Sequence, residues 1–209
     1  MRILSIIFFL LLISSCSNQG EDSKFNNGNS SQTTSELKNT YDTIINTIDG
    51  KVIIQYFHND ILTTKKTFYS SGILQEELEY NDDSYGFKYK MFHQNGKLKT
   101  TGEQGGVASC GIQVGTWMNY DTSEFLIQKK VFEHFLPEEA YGCHETSTVI
   151  SITDYYSNGN VKKNSQIETC YECDECPCGK WESYDKEGNL IESKDYENCY
   201  NFRLECSNY

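Results

Sequence analysis

The sequence predicts an all-β fold: an elongated antiparallel meander of about twelve strands, from about residue 42 to 197. Three observations predict it. A short turn signal recurs five times along the chain. The runs flanking each turn are rich in Tyr, Phe, Ile, Leu and Val and are too short for helices, which suits strands. Two copies of one hexapeptide, Gly-x-Trp-x-x-Tyr, each lead into one of the turns.

The repeated unit occupies residues Phe68–Leu74, Phe92–Leu98, Tyr120–Leu126, Tyr155–Val161 and Tyr184–Leu190. Each has an aromatic four residues before the turn position and Leu or Val two after it. The turn position is Gly72, Gly96, Gly159 or Gly188 in four units and Glu124 in the other. Glycine supplies the left-handed residue that a tight hairpin needs. Glu124 therefore predicts a looser or different turn. Upstream, Asp49-Gly50 signals another hairpin and Phe57–Ile61 another connection. Alternation after the first turn places Leu74, Leu78 and Tyr80 on one face, together with Glu76.

The hexapeptides are Gly115 to Tyr120, containing Trp117, and Gly179 to Tyr184, containing Trp181. Tyr89 fills the tryptophan slot of a weaker third copy. A Trp three residues from a Tyr lies on the opposite strand face. Such a sheet is stabilised along its length by ring-on-ring and ring-on-glycine packing, without a thick interior. The pattern of Gly-x-Trp-x-x-Tyr, Gly turn, Leu and polar strand resembles the MORN-repeat-variant family over about residues 67 to 196. The resemblance implies a MORN-like β-repeat fold, and some bacterial members carry an antitoxin-component label. Turn spacings of 24, 28, 35 and 29 residues depart from the family, whose unit is nearer the shortest.

The N-terminus indicates export. Arg2 precedes the apolar run Ile3–Ile13, which is too short for a mature membrane span but suits a signal peptide. Ile13-Ser14-Ser15-Cys16 resembles the lipobox of bacterial lipoproteins, which implies removal of residues 1–15 and lipid attachment at Cys16. Residues 16–40 read as the lipidated cysteine and a polar tether too poor in apolar residues to order itself. Residues 41–209 read as the repeat domain with cysteine-rich inserted loops and tail. The expected location is the cell envelope, at the outer membrane or cell surface, with the periplasmic side also open. Loss of Arg2 leaves 17 basic against 30 acidic residues, about −13. That balance argues against nucleic acid as a partner.

In a meander, successive connections alternate between the two ends of the strands. The glycine turns then share one margin, and the segments near 81–86, 104–114, 134–148, 169–178 and the tail after 196 share the other. Cys110, Cys143, Cys170, Cys173, Cys176, Cys178, Cys199 and Cys206 all fall in those inserted segments, and none falls in a repeat strand. Eight thiols in an exported chain predict disulfides, which would constrain insertions that lack an apolar core. Adjacent connections favour Cys110–Cys143. The cluster at 170–178 then pairs internally and with Cys199 and Cys206. A metal knuckle is the alternative, but zinc sites favour two spaced pairs, and the last gap of one residue misses iron–sulfur spacing.

His58, His93, His134 and His144 join no nucleophile motif, and no phosphate loop or HExxH occurs. The sequence thus predicts no enzyme and no cofactor. It predicts a membrane-tethered module that binds or scaffolds a protein or glycan. Of the repeat aromatics Phe68, Phe92, Trp117, Tyr120, Tyr155, Trp181 and Tyr184, most are expected to pack against one another, and any left exposed would suit recognition. Two alternatives remain open here: an immunity or antitoxin-like protein that neutralises a toxin, and a cysteine-rich metal-binding module.

Overall fold

A computed structural model describes residues 40–81, 86–107, 110–135, 146–170, 174–196 and 198–199. The signal peptide, Cys16, the tether, Cys143, His144, Cys173 and Cys206 lie outside the described residues. Twelve strands form one sheet in sequence order, every neighbour antiparallel. They are β1 (Tyr41–Ile48), β2 (Lys51–His58), β3 (Ile61–Phe68), β4 (Leu74–Tyr80), β5 (Phe87–Phe92) and β6 (Leu98–Val107). The second half continues with β7 (Cys110–Tyr120), β8 (Leu126–Phe135), β9 (Ser147–Tyr155), β10 (Val161–Cys170), β11 (Cys176–Tyr184) and β12 (Leu190–Asp195). No helix occurs among the described residues.

The five repeat turns are alike. The Gly72 N–H donates to the Tyr69 carbonyl at 2.9 Å, and the Tyr69 N–H donates to the Ile73 carbonyl at 2.9 Å. The same pair of bonds recurs at Gly96, Gly159 and Gly188. It recurs at Glu124 as well, at 3.0 Å for both bonds, with Glu124 at φ 71°. The expected looser turn is therefore corrected. Asp121 holds the standard shape, its carboxylate accepting from the Ser123 N–H at 2.7 Å and the Phe125 N–H at 3.0 Å. In every unit the aromatic and the aliphatic residue face each other across the hairpin: Phe68 with Leu74, Phe92 with Leu98, Tyr120 with Leu126, Tyr155 with Val161 and Tyr184 with Leu190.

Each of these pairs sits beside a register shift. A bulge repeats a face at the extra residue, so the side chains beyond it change sides. Leu74 thus lies on the face opposite Leu78, which corrects the simple alternation read for this strand. The turns are also tied to one another two strands on. The Tyr69 hydroxyl donates to the Phe92 carbonyl at 2.9 Å, His93 Nε2 reaches the Tyr120 carbonyl at 3.0 Å, and the Tyr156 hydroxyl donates to the Tyr184 carbonyl at 2.8 Å. Asn95 and Asn158 donate to the Thr122 and Lys186 carbonyls in the same manner.

Directly paired residues share a face, so one row can be followed across the sheet. Lys65, Leu78, Tyr89 and Gly102 run across β3 to β6, and Trp117, Lys130 and Ile152 across β7 to β9. Ser165, Trp181 and Lys194 complete it on β10 to β12. We call this the tryptophan face. Leu78, Trp117 and Ser165 are buried within the row although the sheet is a single layer.

The opposite face carries the aromatic–aliphatic row along the turn margin. Toward the other margin it holds the core cluster of Val149, Cys178 and Cys199, with Phe135 packed against it. Val149 pairs with Glu168, Glu168 with Cys176, and Gln166 with Cys178, which places Cys176 and Cys178 on this side. Cys178 and Cys199 form a disulfide with sulfurs 2.05 Å apart, and Cys176 is disulfide-bonded too. We call this the cystine face.

Four of the five described cysteines stand in strands, toward the ends opposite the repeat turns, and Cys199 lies in the bend beyond β12. Cys110 opens β7, Cys170 closes β10, and Cys176 and Cys178 lie within β11. The expectation that no cysteine enters a strand is corrected. The physical reason is that the inserted residues satisfy their backbone groups by prolonging the ladder: Glu103 to Val107 pair with Val114 to Cys110.

Candidate recognition face

The two Gly-x-Trp segments are built alike. On the β6–β7 ladder Thr101 pairs with Met118, and Glu103 with Val114. Gly102 alone therefore opposes Gly115, Thr116 and Trp117. On the β10–β11 ladder Asn164 pairs with Glu182, and Gln166 with Cys178. Ser165 alone opposes Gly179, Lys180 and Trp181. Gly115 at φ 61° and Gly179 at φ 64° take the left-handed conformation that starts each bulge. A bulge strands a ladder carbonyl, and the indole fills the gap. Trp117 Nε1–H donates to the Glu103 carbonyl at 3.0 Å, and Trp181 Nε1–H to the Gln166 carbonyl at 2.9 Å.

The small residue opposite each bulge makes room for the ring. A Cβ on Gly102 would lie 2.2 Å from the Trp117 ring. Tyr89 tilts against Trp117 with ring centroids 5.4 Å apart. Trp181 is framed by Tyr196 at 4.9 Å and by the Lys163 ammonium, 4.3 Å from its ring centroid. Burial pushes the Tyr89 hydroxyl up to about 12, with the nearby Glu76 carboxylate adding to the effect. Trp117 is only 7% exposed. Trp117 is thus a structural peg, whereas Trp181 is half-buried and lines a depression with Lys163, Lys194 and Tyr196.

Over the middle strands the tryptophan face sets a polar relay among apolar walls such as Ile127, Phe132 and Ile150. A relay of side chains crosses four strands: the Thr100 hydroxyl donates to Asn119 at 2.9 Å, the Asn119 amide to Gln128 at 3.2 Å, and the Gln128 amide to Asp154 at 2.9 Å. This relay lines a depression of about 520 Å³. A neighbouring depression of about 430 Å³ shares Lys99, Thr100 and Asn119 with it and reaches Tyr89, Trp117 and Lys130. A third, of about 350 Å³, shares Gln104 and Gln113 with the second and extends to Phe132, His134 and Ile150. His134 Nε2 donates to the Gln113 carbonyl at 2.8 Å, and its Nδ1 meets the Thr148 hydroxyl at 2.8 Å. Shared walls join the three into one shallow trough over the middle strands.

The cystine face differs in chemistry. Glu77 bridges Lys66 at 3.1 Å and Lys90 at 3.3 Å, and Lys90 also reaches Glu79 at 3.3 Å. Partial burial raises the Glu77 carboxyl, but hydrogen bonds from Lys66 and Lys90 and their charges outweigh it and hold it below the ordinary value. These charges satisfy one another and leave a self-neutralised stripe.

The site residues read from the sequence therefore separate. Trp117 and Trp181 stand on the tryptophan face, whereas Phe68, Phe92, Tyr120, Tyr155 and Tyr184 follow the turn margin on the cystine face. Gly72, Gly96, Gly159 and Gly188 form the turns with φ between 82° and 91°. The backbone of Cys110 opens β7 and that of Cys170 closes β10, and the sulfurs of Cys176, Cys178 and Cys199 are covalently engaged. Among the described residues, no group of three His, Cys, Asp or Glu is arranged to hold a metal ion.

Sequence reasoning missed the polar relay, because Thr100, Asn119, Gln128 and Asp154 are unremarkable singly and become neighbours only through register. It also missed the bulges, whose signal was the left-handed Gly two places before each Trp.

Residues 64–82 and 177–198 match the family described as MORN repeat variant. The two matches fall on the β3–β4 and β11–β12 hairpins, near opposite edges of the sheet. Among curated proteins, none matches the chain.

Proposed function

We propose that the chain is an exported, lipid-anchored, non-enzymatic module that binds or scaffolds a protein partner on the tryptophan face. One observation carries this reading: the trough presents a relay of amide, hydroxyl and carboxylate groups between apolar walls, while Trp117 beneath it is packed into the sheet. A sugar-binding platform needs exposed ring faces to stack on, and Trp117 offers almost none. A protein surface with its own amides and hydroxyls suits the relay. The lipid anchor is argued from the lipobox-like Ile13–Cys16 and the apolar run before it.

Two measurements test the reading. Metabolic labelling with a tagged fatty acid should mark the parent chain and not Cys16→Ser; a parent chain that takes up no fatty acid contradicts the anchor. Capture of partners from the native envelope by the full chain should fail with Gln128→Arg and persist with Lys66→Gln on the cystine face. The opposite outcome rejects the assignment of the face. The net charge of −12 also suits a basic partner, including a toxin. In that case the captured protein is toxic when expressed alone and harmless when co-expressed with this chain.

A further inference from the structure

We propose that β1 is a self-pairing edge, through which two copies of this chain join their sheets antiparallel. Among the described residues the twelve-stranded sheet has two edges, β1 and β12. Every residue of β1 is exposed. Four of them are large and apolar: Tyr41 (75% exposed), Ile44 (47%), Ile45 (64%) and Ile48 (57%). Asp42 is the one charged residue in the strand. An edge of this kind lacks the devices that normally block pairing, namely lysine, proline and inward charge. β12 has them: Glu192, Lys194 and Asp195 occupy half of its six residues. The chain beyond β12 is also drawn back onto β11 by the Tyr196 N–H to Gly179 carbonyl bond, 2.8 Å, and by the Cys178–Cys199 disulfide.

The register defines which groups are available. Ile48 and Lys51 flank the two-residue Asp49-Gly50 turn, whose φ values of 51° and 75° fit a tight hairpin turn. They form a hydrogen-bonded pair, as do alternate pairs along the ladder. The N–H and C=O of Tyr41, Thr43, Ile45 and Thr47 consequently point away from β2, toward the open edge.

A second copy satisfies all of these groups in one arrangement. Antiparallel pairing sets outward-facing residues against outward-facing residues, so Tyr41 meets Thr47 of the second copy and Thr43 meets Ile45. About eight backbone hydrogen bonds result. Ile44 then meets its own counterpart on the two-fold axis, in a non-hydrogen-bonded pair where side chains approach closest. Asp42 meets Asn46, so no carboxylate opposes a carboxylate. The polar stretch just before β1, Ser30 to Lys38, contains a single large apolar residue, Leu37, and offers no comparable match to three isoleucines. An eight-residue edge buries less than the roughly 1,000 Å² of a permanent interface, so the dimer is reversible. Each copy carries −12, so added salt strengthens it by screening.

Sedimentation of the full chain over a concentration series tests the proposal. The expected result is a monomer–dimer equilibrium that tightens with salt. Ile44→Lys places two ammonium groups on the axis and should weaken the dimer by about ten-fold or more. Ile45→Pro removes an outward N–H that β2 does not use and should act likewise. Ile191→Lys on β12 should leave the dimer intact. A chain that stays monomeric to its solubility limit overturns the proposal, as does a dimer indifferent to both β1 variants or lost with Ile191→Lys. Hydrogen exchange on the unmodified chain supplies a check that does not depend on variants folding. Protection of the Tyr41, Thr43, Ile45 and Thr47 amides should rise with concentration. Protection that is constant with dilution would mean the chain covers its own edge, and would also overturn the proposal.

Discussion

Glu124 and Tyr89 show how single residues carry the repeat. Glu124 sits in the left-handed region, where a non-glycine residue costs about 1–2 kcal/mol. Its exposed ion pair with Lys97, at 3.8 Å, offsets little of that. Glu124→Gly should therefore stabilise the fold by about 1 kcal/mol in urea titration; a loss of stability would show that the Asp121 cap had already removed the strain. Tyr89 keeps its proton to about 12, above the ordinary tyrosine value of about 10. Because the folded state holds that proton more tightly, the stabilisation is complete below pH 10 and declines as pH rises toward 12. Alkaline unfolding should show this slope, and Tyr89→Phe should flatten it. Sequence alone cannot see either effect, since both depend on which groups a neighbouring strand brings alongside.

At the level of elements, each hairpin was legible because its determinants are local. A left-handed turn residue, an aromatic four before it and an aliphatic residue two after it place the paired side chains without reference to the rest of the chain. The Gly-x-Trp motif was legible as a repeat but not as a device. Its meaning lies in the opposing strand, where Gly102 and Ser165 stand alone against three residues and a carbonyl waits for the indole. Trp117→Phe and Trp181→Phe should each cost about 2 kcal/mol, since the N–H donor is lost together with the pyrrole half of the ring. Gly102→Ala should cost more than either, because its Cβ would enter the Trp117 ring. Denaturant midpoints check both. Equal stability of the phenylalanine variants and the parent would remove the bulge-filling role. The cysteine segments were legible by margin but not by conformation: strand pairing is non-local, and long ladders absorbed residues that composition assigns to loops.

Across the whole molecule, a single-layer sheet divides its labour between two faces. One buries the cystine against Val149 and neutralises its own charges along Lys66, Glu77 and Lys90. The other seats its indoles and leaves the Thr100–Asp154 relay open. Gln128 and Lys129 are consecutive in sequence and lie on opposite faces, so they make a matched pair of probes. A photo-crosslinking residue at position 128 in the full chain, within its native envelope, should yield protein adducts, whereas the same residue at position 129 should yield few. Equal labelling at both positions, or labelling confined to 129, would contradict the assignment of recognition to the tryptophan face.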